Sequence, residues 1–226
     1  MTKPFKFEDL VMIPFQMGPI KNNTFLIADT KTQECVVIDP SFGSEAVLDR
    51  IKKEGWKLKA VWLTHAHFDH LAGVEELMAS IPDVVLAMHP ADEIIRAKGG
   101  VANSATSSAG VSSPKPSIDL KDQMELSIGS YHFIVLHTPG HAPGHCCFYQ
   151  PEAGWVFTGD LVFYHDYGRT DLIGSDPEAL MRSIHEKILV LPDKTLIFPG
   201  HEDFTSVENE SCAENMPRDC APVLLI

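Results

Sequence analysis

An α/β fold, with helices packed outside β-sheet, is predicted by three features of this sequence. The chain opens on three consecutive strand-like runs separated by short breaks. Strand and helix patterns then alternate, and a second strand meander restarts around Gly129. With 226 residues, 44% of them hydrophobic, the chain can bury a substantial core, and one domain over 1–226 is the expectation.

The opening strands are expected over Leu10 to Met17, Asn23 to Asp29 and Glu34 to Asp39, with Gly18-Pro19 and Lys31-Thr32-Gln33 as the breaks. Cys35-Val36-Val37-Ile38 is continuously apolar, as a strand covered on both faces would be. It ends at Asp39, a candidate support for whatever gathers at the strand ends or a turn residue. Ser44 to Glu54 has helical spacing at Ala46, Val47, Leu48 and Ile51, and Gly55 stops it. Lys57 to Leu63 returns as a strand, a helix is expected over Leu71 to Met78, and Val84 to Met88 is the next strand.

Lys98 to Ser117 has neither period and reads as a loop, either a lid over a substrate or a surface excursion. Asp119 to Leu126 and Tyr131 to His137 restart the sheet, followed by Cys146 to Tyr149 and Trp155 to Thr158. Ser175-Asp176-Pro177-Glu178 predicts a helix start capped by Ser175, with the helix running to about Val190 and Leu180, Ile184, Ile188 and Leu191 inward. His185 and Lys187 fall on its surface. Leu196 to Phe198 is the last strand.

The chemistry concentrates at strand ends. Thr64-His65-Ala66-His67-Phe68-Asp69-His70-Leu71 places three imidazoles and a carboxylate just after a buried strand. Extended backbone sends His65 and His67 to one side, whereas Asp69 and His70 approach from the turn toward the next helix, so a second metal position beside the first follows. Imidazole and carboxylate without thiolate suit zinc, with iron and manganese tolerated, and argue against a closed Cys-rich structural site. The tight loop Thr138-Pro139-Gly140-His141-Ala142-Pro143-Gly144-His145 offers His141 as a further ligand, with His145 as a support or core residue. Asp160, after Gly159 at a strand end, has two oxygens that can touch two metals, and Pro199-Gly200-His201 delivers the seventh candidate, His201.

Net charge of −13 opposes a nucleic-acid partner, and no run of apolar residues approaches the ~18 needed to span a membrane. Five cysteines (Cys35, Cys146, Cys147, Cys212 and Cys220) without C-x-x-C spacing argue against a disulfide framework. With no export signal at the N-terminus, a cytoplasmic protein is expected.

Taken together, the blocks T-H-A-H-F-D-H, T-P-G-H, T-G-D and P-G-H, in that order, resemble the ligand set of the metallo-β-lactamase-fold hydrolases. The resemblance covers nearly the whole chain and implies a four-layer αβ/βα sandwich with internal pseudo-symmetry. It also implies that His65, His67 and His141 hold one metal and Asp69, His70 and His201 a second, with Asp160 between them. Gly168-Arg169-Thr170-Asp171-Leu172 and the helix Pro177 to Leu191 look most like the short single-domain hydroxyacylglutathione hydrolases, the glyoxalase II group. Arg169 stands where those enzymes carry lysine, and the residues after His201 are too few for the helical domain that helps longer members bind glutathione.

The expected activity is hydrolysis of a small-molecule thioester such as S-lactoylglutathione. A water shared by two divalent metals, acidified to a pKa near ~7, would attack; Asp69 would orient it, and Arg169 either grips a substrate carboxylate or is a surface arginine. The same residues resemble two alternatives, the persulfide dioxygenases, with one iron on His65, His141 and Asp160, and the lactonases. A non-catalytic binding module is the non-enzyme alternative.

Overall fold

The computed structural model describes residues 3–100 and 110–212. Seven strands form the first sheet, in the order β1 (Phe5–Phe7), β2 (Leu10–Met17), β3 (Asn22–Asp29), β4 (Glu34–Ile38), β5 (Lys57–Trp62), β6 (Val85–Met88) and β7 (Ile118–Asp119). β1 to β4 are an antiparallel meander, and β4 to β7 pair in parallel. The second sheet repeats the scheme. An antiparallel meander of β8 (Glu125–Ile128), β9 (Tyr131–His137), β10 (Cys146–Gln150) and β11 (Trp155–Gly159) is followed by β14 (Leu196–Pro199), parallel to β11, and an edge strand β15 (Thr205–Ser206). Between β11 and β14 lies a small hairpin of β12 (Val162–Phe163) and β13 (Asp166–Tyr167).

Alternation along the strands sorts the side chains into layers. Val36 and Ile38 of β4 enter the core between the sheets with Phe25, Trp62, Phe133, Phe148, Phe157 and Phe198. Cys35 and Val37 point the other way, onto α1 (Glu45–Glu54), α2 (Phe68–Leu71) and α3 (Val74–Ser80), where Val47, Leu48, Ile51, Leu71, Val74 and Leu77 are buried. The outer face of the second sheet is covered by α5 (Pro177–Ser183) and the π-helical turn Ile184–Ile188 through Leu180, Ile184 and Ile188. The order helix, sheet, sheet, helix is the expected four-layer sandwich. Each fully buried Phe of the middle layer contributes on the order of 2–3 kcal/mol, which makes that layer the main cohesive element. The remaining helices are α4 (Glu93–Ala97) and α6 (Val207–Ser211); among the described residues no helix is long and apolar enough to cross a membrane.

Main-chain bonds join the two sheets along one edge: Asn23 N–H donates to Gly200 O at 2.6 Å and Cys146 N–H to Thr64 O at 2.7 Å. The strand ends carrying the candidate ligands lie there.

Four boundaries differ from the sequence expectation. The helix expected over Leu71 to Met78 is two, α2 and α3, because the Gly73 N–H is taken by Pro40 O instead of continuing the ladder. Asp119 closes the first sheet rather than opening the second, since a turn from Lys121 to Met124 separates it from β8. Asp176, not Ser175, caps α5, accepting from the N–H groups of Glu178 and Ala179, while Ser175 Oγ donates to His141 O. That helix is α-helical only to Ser183 and then widens. The loop expected over Lys98 to Ser117 lies partly outside the described residues; at its described ends Gly100 O accepts from Phe68 N–H and Arg96 donates to Ser113 O.

Candidate metal centre

All seven candidate ligands meet at the stitched edge. His65 and His67 follow β5 in extended backbone, and α2 then carries Asp69 and His70. The loop after β9 supplies His141, β11 hands over Asp160 and β14 delivers His201. Potential ligand atoms of His65, His67 and His141 lie within 4.8 Å of one another, and so do those of Asp69, His70 and His201. In the first trio His141 Nε2 is 2.9 Å from His67 Nδ1. In the second, Asp69 Oδ2 is 3.1 Å from both His70 Nε2 and His201 Nε2.

Asp160 lies on the seam. Its Oδ1 is 3.2 Å from His70 Nε2 and 3.7 Å from His201 Nε2, while its Oδ2 is 3.5 Å from His141 Nε2. One oxygen faces each trio. Gly200 permits the approach, because a Cβ there would lie 2.5 Å from Asp160 Oδ1 and 2.7 Å from His70 Cε1.

The donor set fits divalent metal. His65 Nε2, His70 Nε2 and Asp160 Oδ1 are buried without hydrogen-bond partners, an arrangement that is costly unless a cation serves them. The far ring nitrogens are held: His65 Nδ1 by Thr64 Oγ1 at 3.0 Å, His70 Nδ1 by Asp39 Oδ2 at 2.9 Å, and His141 Nδ1 by Arg169 O at 2.9 Å. Such partners fix ring orientation and leave the inward nitrogen to ligate.

Burial, reinforced by neighbouring imidazoles, pushes His65 far below its ordinary range and His67 down to about 3. Burial also lowers His141, so the first trio is neutral and ready to donate lone pairs. In the second trio burial opposes charge on His70, but Asp69, Asp160 and Asp39 outweigh it and hold its pKa well above 6.5. Burial likewise opposes ionisation of Asp69 and Asp160, yet the surrounding imidazoles keep both carboxyls well below the usual range.

The profile of the Metallo-beta-lactamase superfamily matches residues 17–201. The chain belongs to that superfamily. Among superfamily relatives, it is 37% identical over 196 residues to the probable metallo-hydrolase YqgX of Bacillus subtilis (strain 168), covering 86% of this chain and 91% of that one. It is 30% identical over 191 residues to the hydroxyacylglutathione hydrolase GloC of Haemophilus influenzae (strain ATCC 51907 / DSM 11121 / KW20 / Rd), covering 84% and 90% respectively. Of solved superfamily structures, the BLEG-1 B3 metallo-beta-lactamase superposes with a TM-score of 0.83 at 30% identity, over 91% of this chain and 99% of that one. TTHA1623 in a di-iron-bound form superposes with a TM-score of 0.79 at 37% identity, over 89% and 98%. The site is therefore that of a metallo-hydrolase superfamily member.

The Arg169 guanidinium is exposed and paired with Asp171 by two bonds of 2.6 Å, and the main-chain carbonyl of Arg169 reaches His141 Nδ1. His145 is the buried support expected, with Nδ1 2.8 Å from Thr138 Oγ1 and its ring stacked on His65. Asp39 is a support rather than a turn residue alone, also accepting from Thr64 N–H and Oγ1.

Sequence reasoning missed Asn22, Asn23 and Asp92. Asn23 Nδ2 donates to Pro199 O and Glu202 O on either side of His201, and Asn22 is buried with Nδ2 3.5 Å from Asp69 Oδ2. Two polar amides opening an otherwise apolar strand were the available signal. Burial pushes the Asp92 carboxyl up to about 6, against the pull of two backbone N–H groups. Beside His201 a cavity of about 550 Å³ opens to solvent, lined by Gln16, Ile20, Lys21, Tyr164, Glu202 and Asp203.

Proposed function

We propose that this chain is a binuclear metal-dependent thioester hydrolase acting on a hydroxyacyl thioester of the S-lactoylglutathione type. The observation that carries the binuclear part is Asp160, whose two oxygens face separate trios at 3.2 and 3.5 Å. Likeness over most of its length to a hydroxyacylglutathione hydrolase supports the thioester part.

His65, His67 and His141 would hold one divalent cation and Asp69, His70 and His201 the other, with Asp160 shared. Zinc suits this donor set, and a relative with two irons bound supports iron as a substitute. Bound there, the pair supplies Lewis acidity and acidifies a water. Asp69 would orient the attacking water while helping to hold its cation. The water oxygen forms the new C–O bond, the C–S bond breaks, and the thiol leaves carrying a proton. The cavity beside His201 would receive the thiol half of the substrate, with Tyr164 and Ile20 against its apolar part. For a substrate carboxylate to reach the Arg169 guanidinium, it would have to replace Asp171.

The test is metal analysis of the purified protein together with hydrolysis of S-lactoylglutathione, repeated with Asp69→Ala. Two metals per chain and a fall in kcat of roughly 10²- to 10⁴-fold in the variant are expected. One iron per chain with oxygen uptake on glutathione persulfide, and no thioester cleavage, would instead establish the dioxygenase alternative.

A further inference from the structure

Asp92 touches none of the seven ligands, yet it lies between the two loops that supply three of them. It closes the 3-10 turn Pro90–Asp92 after β6 and is fully buried. Its Oδ2 accepts from Ala66 N–H at 3.0 Å, and Ala66 is the residue between His65 and His67. Its Oδ1 accepts from Gly144 N–H at 2.5 Å, in the loop that carries His141. One carboxylate therefore ties a loop of the first sheet to a loop of the second.

Two further observations mark this as a built contact. Gly144 is pressed against Asp92: a Cβ there would sit 2.7 Å from Oδ1 and 2.8 Å from the Asp92 backbone nitrogen. No cation pairs with Asp92 among the described residues, so its burial is uncompensated apart from the two N–H groups. An unpaired buried carboxylate is costly. The chemistry that accounts for it is geometric: two N–H groups converge from different loops, and a carboxylate offers each its own acceptor oxygen, which an amide cannot.

We propose that Asp92 is a positioning residue that sets the separation of the His65-Ala66-His67 segment from the His141 loop, and so the fit of that trio for its cation. The second trio has other supports: Asp39 on His70, and Asn23 on the backbone flanking His201. Asp92 thus acts on one cation and not on the other. The inference rests on the two-cation reading above.

The experiment compares the full-length chain with Asp92→Asn and Gly144→Ala, which disturb the same contact from opposite sides. Metal-free protein is titrated with zinc against a competing chelator, and with cobalt(II), whose visible spectrum reports coordination at each site. Backbone amide exchange at Ala66 and Gly144 is followed in the metal-free state. The expected result is one cation weakened by roughly 10- to 100-fold, the other within about twofold of the parent, and faster exchange at both amides. Equal weakening of both cations, or parental affinities with unchanged exchange, overturns the proposal. If Asp92→Asn fails to fold, Gly144→Ala and the parent chain carry the test, the parent Ala66 and Gly144 amides being expected to resist exchange before metal is added; unprotected amides overturn the clamp. A parent chain that binds no zinc or cobalt overturns the two-cation reading and the metal role of Asp92 with it, and the exchange data then report separately on the contact itself.

Discussion

His65, His67 and His141 bring three imidazoles and no charge to one side of the centre, whereas Asp69, His70 and His201 bring a carboxylate with two imidazoles to the other. The supports differ in kind as well. Thr64 Oγ1 and Arg169 O steady two rings of the first trio, while a carboxylate oxygen of Asp39 steadies His70 in the second directly and reaches the first only through Thr64. An all-imidazole trio favours a borderline metal such as zinc, and a mixed trio accepts harder cations more readily. Asp160, facing both, supplies the negative charge that the first trio lacks. The lesson is that two adjacent ligand trios that share one sequence block need not be equivalent, and that the asymmetry resides both in the ligands and in what lies behind them.

The comparison is broken most completely at the shared residue. Asp160→Ala should reduce the metal content from two per chain to one or none and lower thioester hydrolysis on the order of 10³-fold, as elemental analysis and initial rates would register. Full activity with two metals would mean that the trios do not communicate through Asp160.

A smaller and unequal effect is expected from Asp39→Asn. Because Asp39 holds His70 directly and His65 only through Thr64 Oγ1, the substitution should weaken the mixed trio by roughly 10- to 100-fold in metal affinity and the all-imidazole trio less. Calorimetric titration of the variant would decide it, and a loss shared equally by the two sites would count against separate supports.

The last effect concerns pH and sharpens the role of Asp92. Burial lifts its carboxyl from 3.8 to about 6, so the folded chain keeps a proton that the unfolded chain has released. Its contribution to stability is therefore fully present below about 3.8 and is lost as pH rises through about 6. In urea unfolding of the metal-free proteins, the parent should lose stability relative to Asp92→Asn across that window, by roughly 3 kcal/mol at most. Histidine titrations occur in both chains and cancel in the difference. A parent that instead gains stability relative to Asp92→Asn with rising pH would mean that the Ala66 and Gly144 N–H groups outweigh burial.

The seven ligand candidates were legible in the sequence because each is announced locally: an H-x-H after an apolar strand, or a glycine before an Asp or His at a strand end. Their convergence follows from parallel strands whose ends share one edge. Asp92 was not legible, because a carboxylate after Pro90-Ala91 reads as an ordinary helix cap, and its meaning depends on a loop 52 residues away. Asn22 and Asn23 were hidden for the same reason, their partners lying near His201 and Asp69. The misplacement of Ser175 has a local cause: two adjacent capping residue types compete, and the bond from Ser175 to His141 O, a tertiary contact, leaves the cap to Asp176. The helix break at Gly73 was set by Pro40, again from outside the segment.

Phe157 and Phe198 stack with centroids 5.2 Å apart in the middle layer, a few residues before Asp160 and His201 on neighbouring strands, and Phe25 meets Phe157 edge-on from the opposite sheet at 5.1 Å. The thickness of that aromatic packing thereby acts as a ruler for the cage above it. Altering ring size far beneath the site would shift Asp160 and His201 against each other, so the shape of the cage also depends on buried rings that never meet water.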